Sequence, residues 1–336
     1  RAAILALVGL GILVSRNDVR SALPFGVGLL FTGMVDHGGP LRTRIPPMIG
    51  TAIAITIGTG LGGLVSSATI ANIVIGGVVA LLCGFIGAAG ATWMFGGVLT
   101  LVCYTIFGGA PIKLLADGQN TFWMAAGCAV LILSALAAQG FMRLLRHGAP
   151  AVGAATATGA ATTDTAWSRA RSHLHWNDDF VLHAIRLSIV IMLALILEEE
   201  LAYPHSYWIP MTVAWITRPD VDGTVERVIL RVVGTLAGIV LAGSFIVAFD
   251  PSNAVCVVMT ALAIFIVLVF LAPNYAIAVI GITIFVFFLF NIVGYPVKQM
   301  IETRIVSTLM AAALVAVAIH IGPRRGSAAA ADAPSH

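Results

Sequence analysis

The sequence predicts an all-α integral membrane protein with about twelve transmembrane helices, arranged as two parallel six-helix repeats. Hydrophobic residues make up 59% of the 336 residues and charged residues only 10%, whereas a soluble chain carries roughly a quarter charged residues. Long apolar runs recur along the whole chain, which excludes a single anchor and favours helices over a barrel. Short motifs recur at a fixed spacing, which indicates that the chain contains an internal repeat.

Twelve apolar runs are long enough to approach the roughly 30 Å of hydrocarbon in a bilayer. They cover residues 1–15, 21–36, 43–64, 67–88, 91–108 and 120–142 in the first half, and 179–198, 205–217, 224–248, 253–271, 274–293 and 301–321 in the second. A stretch rich in Ala, Gly, Thr and Ser separates the halves and predicts a cytoplasmic linker. The expected units are therefore repeat 1–145, linker 146–177, repeat 178–321 and a disordered tail 322–336.

The repeat is visible in residue types that are rare in this chain. Asp36, Gly39, Gly50 and Thr51 recur 184 residues later as Asp220, Gly223, Gly234 and Thr235. The segment GAPIKLLAD (109–117) recurs 185 residues later as GYPVKQMIE (294–302). Six spans in each half would point both halves the same way, so the pseudo-twofold axis is expected to lie along the membrane normal.

Small residues recur every fourth position on one helix of each half. They are Gly50, Ala54 and Gly58 in the first half, and Gly234, Gly238 and Ala242 in the second. Residues four apart share a helix face, so each strip predicts close helix packing. In a repeated transporter we expect these two helices near the central axis.

Charge and motifs narrow the class of protein. The net charge of +3 is small and dispersed, which argues against nucleic acid as a partner. The four cysteines form no CxxC pair and predict free thiols. The chain contains no GxSxG, HExxH or phosphate-binding loop, so we predict neither an enzyme nor a cofactor or metal site. Most arginines fall on the side of the linker and both termini, which predicts that this side is cytoplasmic.

A cluster of charges precedes the third apolar run of the second half, in the stretch TRPDVDGTVERVILR (217–231). Asp220, Asp222 and Thr224 suit the start of a helix, because they can accept hydrogen bonds from its free N–H groups. The arginines allow two interpretations. They extend to cytoplasmic water and headgroups, or they form an inner gate. The gate would pair the cations Arg218, Arg227 and Arg231 with the acids Asp220, Asp222 and Glu226. A degenerate counterpart surrounds Asp36, with Arg42 and Arg44.

The string YWIPMTVAWITRPDVDGTVERVILRVVGTLAG (207–238) resembles the signature of the fusaric acid resistance protein-like (FUSC) family. Arg186 in HAIRLSIVIM matches the arginine that this family carries at the head of the preceding helix. The resemblance implies a bacterial inner-membrane protein related to exporters of aromatic carboxylic acids. The linker 146–177 is too short for the large cytoplasmic domain of the larger members, and Arg-Pro-Asp is reduced to Met-Val-Asp at 34–36.

The second apolar run of each half is interrupted by Pro or Gly, which in repeat transporters points to the substrate site. These runs are SALPFGVGLLFTGM (21–34) and PHSYWIPMTVAWI (204–216). Their aromatic residues are candidate substrate contacts: Phe25, Phe31, Tyr207, Trp208 and Trp215. Alternatively, Tyr207 and Trp208 belong to an interfacial aromatic belt, while Phe31 and Trp215 are core residues.

Lys113 and Lys298 are related by the repeat, and each follows a Gly-x-Pro break. Two ammonium groups facing each other across the pseudo-axis would attract an organic anion. Asp117 and Glu302 lie four residues on and could pair with them. The alternative is that both lysines extend to outer headgroups. The candidate proton carriers are the four acids Asp36, Asp117, Asp220 and Glu302.

These features together predict an exporter of small organic anions, with aromatic carboxylates implied by the resemblance. An ion or proton gradient is expected to drive it. The alternatives are a passive anion channel with a pore between the repeats, and a membrane scaffold that transports nothing. The expected partners are the organic anion and the lipid bilayer, and the architecture is compatible with a homo-oligomer or a periplasmic adaptor.

Overall fold

The computed structural model describes residues 1–109, 117–145, 166–173, 175, 178–201 and 203–321. Lys113, most of the linker and the tail 322–336 therefore lie outside the described residues. Within them, every regular element is a helix. The α-helices are α1 Ala2–Ser15, α2 Val19–Met34, α3 Leu41–Val65, α4 Thr69–Phe85, α5 Ala91–Gly109, α6 Asp117–Leu145, α7 Ala166–Ser172, α8 Asp179–Leu201, α9 Trp208–Ile216, α10 Val221–Phe249, α11 Asn253–Phe270, α12 Tyr275–Val293 and α13 Val297–Ile321.

The prediction of an all-α integral membrane protein is confirmed. Each of the twelve apolar runs contains a helix, and α7 is an additional short helix beside the linker. Nine of the described helices have the length and composition to cross a membrane, namely α3 to α6, α8 and α10 to α13. The others fall short of about 20 residues, since α1 has 14, α2 has 16 and α9 only nine.

The short helices α2 and α9 are the interior of the protein. Residues 21–34 of α2 and all of α9 are buried. Pro24 lies inside α2, and Pro210 occupies the first turn of α9, where a missing N–H costs little. Because longer helices surround them, neighbouring protein rather than lipid covers their interrupted backbone.

Helix packing follows corresponding pairs in the two halves. In the first half α3 packs on α5 and α2 on α6, and in the second α10 packs on α12 and α9 on α13. Between the halves, α4 packs on α8 as α11 packs on α1, and α5 packs on α9 as α12 packs on α2. The helices α2, α5, α9 and α12 therefore meet where the halves join.

The strips of small residues do mediate close packing, but within each half. A Cβ added to Gly58 of α3 would lie 2.7 Å from the Thr100 carbonyl oxygen of α5, and one added to Gly238 of α10 would lie 2.6 Å from the Thr283 Cβ of α12. The opposite faces of α3 and α10 carry exposed side chains such as Ile53 and Val240. The expectation that α3 and α10 lie near the central axis was wrong, because α2, α5, α9 and α12 occupy the junction.

Asp36 and Asp220, which the sequence pattern aligns with each other, play different structural roles. Asp220 caps α10, and its Oδ2 accepts a hydrogen bond from the Gly223 N–H at 2.7 Å. Asp36 follows α2 and forms ion pairs with Arg44, whose Nη2 lies 2.6 Å from Asp36 Oδ2, and with Arg1. Burial acts to raise the pKa of Asp36, but the hydrogen bond and charge of Arg44, with Arg1, outweigh burial and hold that pKa below its ordinary value.

We predict that Gly58→Ala destabilises the protein by about 1–3 kcal/mol, because α3 and α5 must separate to admit the methyl group. The matched control is Gly140→Ala in α6, where an added Cβ meets no atom within 4 Å and helix propensity improves by up to about 1 kcal/mol. Thermal unfolding in detergent measures both changes. Equal melting temperatures for the two variants would contradict the packing account.

We predict that Asp36→Asn destabilises the protein at neutral pH by at most about 1 kcal/mol, since the ion pair is partly exposed to solvent. A depressed pKa contributes stability above the unfolded value of about 3.9, and this contribution is lost as the pH falls through the folded pKa. The difference in melting temperature between wild type and Asp36→Asn should therefore be largest near pH 7 and shrink towards about pH 3. A difference independent of pH would refute the role of the carboxylate charge.

Candidate functional site

A cavity lies where the two halves join, among α2, α5, α9 and α12, with α13 closing one side. We call it the central cavity, and it is small in this structure, with a free volume of about 40 Å³. Its lining is almost entirely apolar and aromatic: Leu23, Val27, Leu30, Phe31, Val102, Ile106, Tyr207, Trp208, Met211, Trp215, Ile282, Phe285, Val286, Phe290 and Arg304.

Arg304 is the one charged residue among the described residues that line the central cavity. It lies on α13, its exposed fraction is 0%, and its Cζ stands 4.9 Å from the Trp208 ring centroid. None of its three side-chain nitrogens has a hydrogen-bond partner within the described structure. A buried guanidinium without an acceptor is costly, so this charge is available to an anion in the cavity.

The aromatic wall around Arg304 is held by further ring contacts. His205 stacks on Trp208 with ring centroids 5.0 Å apart, and Phe290 meets the same indole edge-on at 6.1 Å. His205 takes the left-handed backbone conformation, with φ of 63°, just before α9 begins. The turn therefore directs Tyr207 and Trp208 into the protein, where each has 1% exposure. An interfacial belt would leave these rings at the lipid surface, so that alternative does not describe them.

A second cavity lies beside the loop that precedes α10. We call it the loop cavity, and its free volume is about 30 Å³. Its lining combines apolar side chains with two arginines and a histidine: Cys83, Gly84, Met94, Phe95, Val98, Leu101, His183, Leu187, Trp215, Thr217, Arg218, Pro219 and Arg227. Arg186 fixes the loop, because its Nη2 donates to the carbonyl oxygens of Arg218 at 2.6 Å and Pro219 at 3.1 Å.

Trp215 belongs to the lining of both cavities. Its ring meets Phe31 edge-on at 6.0 Å and Phe95 at 6.3 Å. Arg231 stands over the indole with its Cζ 5.7 Å from the ring centroid, and Arg227 Nη1 donates to the Trp215 carbonyl oxygen at 3.2 Å. Trp215, at the end of α9, thus forms an aromatic partition between the two cavities, and two arginines of α10 contact it.

The predicted ion pairs of an inner gate are absent among the described side chains, which do not include that of Asp222. Arg227 instead stacks on the Tyr275 ring, with its Cζ 4.3 Å from the centroid. Arg231 is 1% exposed and all three of its side-chain nitrogens lack a partner in the described structure. It therefore neither pairs with an acid nor extends to headgroups. The reason is its position, one turn further into the protein than Arg227 and on the same face.

The candidate substrate residues divide into two groups. Phe31, Tyr207, Trp208 and Trp215 all line the central cavity. Phe25 is not among its lining residues, because its ring packs against Gly9 of α1 and against Trp123 of α6 at 6.5 Å.

The lysine site is described only in part. Lys298 and Glu302 are exposed and line neither cavity, and no ion pair between them is present. Lys113 and the side chain of Asp117 lie outside the described residues. A role of the lysine pair in an outer vestibule stays a prediction.

Several buried ionisable residues, among them Arg304 and Glu198, were not recognised from sequence as site residues. Arg304 has no counterpart in the first half, where Gln119 stands 185 residues earlier. Glu198, near the end of α8, is 5% exposed and packs against Gly109. An ionisable residue inside an apolar run was the available signal for Arg304. Among the described residues, no group of three His, Cys, Asp or Glu side chains could hold a metal ion.

Several bacterial proteins are similar to just under half of this chain. The inner membrane protein YccS of Escherichia coli is 30% identical over 156 residues, which cover 46% of this chain and 21% of that protein. An uncharacterized protein of Haemophilus influenzae is 28% identical over 143 residues, or 43% of this chain and 20% of that protein. The chain thus spans about a fifth of the length of these relatives.

A shorter relative is matched over more of the chain. The uncharacterized protein ORF2 of Neisseria gonorrhoeae is 26% identical over 218 residues, or 62% of this chain and 51% of that protein. No solved structure matches the chain. The family model described as fusaric acid resistance protein-like matches residues 187–318, which include α9, α10 and Arg304. The resemblance inferred from residues 207–238 is thereby confirmed, since this part of the chain matches the model of the fusaric acid resistance protein-like family.

Proposed function

We propose that this membrane protein carries small organic anions, aromatic carboxylates foremost, out of a bacterial cell through the central cavity. The observation that carries the proposal is Arg304, a fully buried guanidinium without a partner in the described structure, on the wall of an apolar and aromatic cavity. The match of residues 187–318 to the fusaric acid resistance protein-like family model is consistent with transport. The substrate class, the direction and the driving gradient rest on the arguments that follow.

The chemistry of the cavity favours a planar anion. A guanidinium presents N–H groups in a fork that matches a carboxylate in a two-bond geometry. In surroundings of low dielectric such a pair is far stronger than in water. The ring of an aromatic acid would then lie against Trp208, Phe285 and Phe290, where offset or edge-on contacts are favourable. The charge would satisfy Arg304, and the cavity would widen to admit the apolar body, since its free volume in this structure is about 40 Å³.

The same lining disfavours other solutes. A neutral apolar molecule would leave the guanidinium of Arg304 without an acceptor, which costs free energy. A cation would be repelled by the guanidinium of Arg304. Arg231 adds to this repulsion, since its charge interacts with that of Arg304. Selection for an anion with an apolar body follows from these two penalties together.

We further propose that the twelve helices other than α7 form two parallel repeats and that the central cavity lies on their pseudo-twofold axis. The corresponding packing pairs within and between the halves support this arrangement. Trp215 stands between the central cavity and the loop cavity, which favours a carrier with alternating access over an open channel. A proton or ion gradient would supply the energy, and both termini would face the cytoplasm.

We predict that Arg304→Gln weakens transport of radiolabelled benzoate into proteoliposomes, measured as uptake against concentration. Loss of a charged hydrogen-bond partner costs about 1.5–3 kcal/mol, or roughly a 10- to 100-fold rise in the half-saturating concentration. The half-saturating concentration of Arg304→Lys should lie between those of the wild type and Arg304→Gln. Lysine keeps the positive charge but loses the two-bond geometry of the guanidinium. The control is Arg16→Gln, which neutralises an exposed arginine after α1.

A melting curve separates the proposed role from a folding defect. Replacing a buried unpaired charge by a neutral group should not lower the melting temperature, so Arg304→Gln should be stable and yet weak in transport. Wild-type uptake by a stable Arg304→Gln protein would refute the proposal. Large uncoupled anion currents in planar bilayers would establish the channel alternative, and the absence of flux under any gradient would favour the scaffold.

A further inference from the structure

We infer that the loop cavity is a second binding site for the carboxylate of the transported anion, in series with the central cavity. The inference deepens the proposed function and rests on it, because it specifies where the same anion stops on its path. Both sites would bind the anion with the same kinds of side chain, a guanidinium beside aromatic and aliphatic residues. They would differ in depth, since the loop cavity adjoins the partly exposed Arg218.

The polar side of the loop cavity suits an anion. Arg218 and Arg227 line it together with His183, which is 5% exposed and whose Nδ1 has no hydrogen-bond partner in the described structure. No Asp or Glu is among the described residues that form the lining. The nearby Asp220 already accepts the hydrogen bond that caps α10. The cavity thus offers the guanidinium donors of Arg218 and Arg227, and its described lining contains no competing carboxylate.

The opposite side suits the apolar body of the anion. Met94, Phe95 and Trp215 form part of this wall, and the Phe95 and Trp215 rings already meet edge-on. An aromatic ring inserted there would gain the same kind of contact that Trp208 and Phe290 offer in the central cavity. One ligand chemistry therefore fits both cavities.

Trp215 connects the two sites because its side chain lines both. The central cavity lies on the side of Phe31 and the loop cavity on the side of Phe95. Displacement of one indole would open a passage between them. Two weak sites in series allow an anion to leave each site readily, which a single tight site would not.

Arg231 provides the cation at the partition. It follows Arg227 by one turn of α10, stands over the Trp215 ring, and interacts through its charge with Arg304. An anion that crosses from the loop cavity would meet Arg227, Arg231 and Arg304 in that order. This path gives a reason for a second fully buried arginine without an acceptor in the described structure.

The test uses Cys83, which lines the loop cavity, as a reporter. The other cysteines, at positions 103, 128 and 256, are replaced by Ala in the full chain, and N-ethylmaleimide labelling of Cys83 is timed with benzoate or neutral benzamide. Benzoate at about ten times its dissociation constant should slow labelling roughly tenfold, and benzamide should not. Arg227→Gln should abolish this protection, and Arg227→Lys should restore part of it.

Arg304→Gln separates this inference from the proposed function. Protection of Cys83 should persist in that variant, because the loop cavity binds the anion independently, even though transport is weakened. Loss of protection in Arg304→Gln, or equal labelling with and without benzoate in the otherwise unaltered reporter chain, would overturn the second site. If Arg227→Gln fails to fold, the labelling rates of Cys83 with benzoate and with benzamide in the otherwise unaltered reporter chain decide whether the second site exists.

Discussion

The burial of Arg304 is the constraint on which the rest of this account depends. A guanidinium removed from water requires compensation, and the described structure offers it the face of Trp208 but no hydrogen-bond acceptor. Cation–π contact is worth about 2 kcal/mol when desolvated, which is less than the several kcal/mol that burying an ion costs. Such a residue is retained at a cost to stability, and an anion that visits the cavity would relieve that cost.

The fold places this charge by using helices too short to span a bilayer. Because α2 and α9 are enclosed by longer helices, their prolines and interrupted backbone are covered by protein. Their ends leave space that aromatic side chains only partly fill, and the two cavities are that space. Glycines allow α3 to pack closely on α5 and α10 on α12, which makes these outer helix pairs rigid. Rigid outer helices and a short inner pair are what a carrier with a movable partition needs.

Helix positions could be predicted from the sequence because the bilayer demands apolar runs of a set length, and each run contained a helix. The aromatic residues of the interrupted runs could be predicted as a group, since Phe31 and Trp215 occupy matching places in the repeat and are found in contact. Phe25 could not be separated from them, because composition does not reveal which face of α2 meets α1 and α6.

The sequence pattern also did not reveal which face of α13 points into the protein. Six residues separate Lys298 from Arg304, which at about 100° per residue is about 240° around the helix and about 9 Å along it. The repeat pattern pointed to Lys298, which is exposed. It did not point to Arg304, because the first half has no arginine at the corresponding position. The pairing of the α10 arginines with acids failed for a related reason, because their shared face turns inward to Trp215 and Tyr275.

The most direct measurement is a cryo-EM reconstruction of the chain in nanodiscs with 4-iodobenzoate, whose iodine marks the orientation of the ligand. The account predicts density in the central cavity, with the carboxylate within hydrogen-bond distance of the Arg304 guanidinium and the iodine among the aromatic side chains. Ligand density confined to the exposed surface near Lys298, or a central cavity that stays empty at saturating ligand in a protein that transports benzoate, would contradict it.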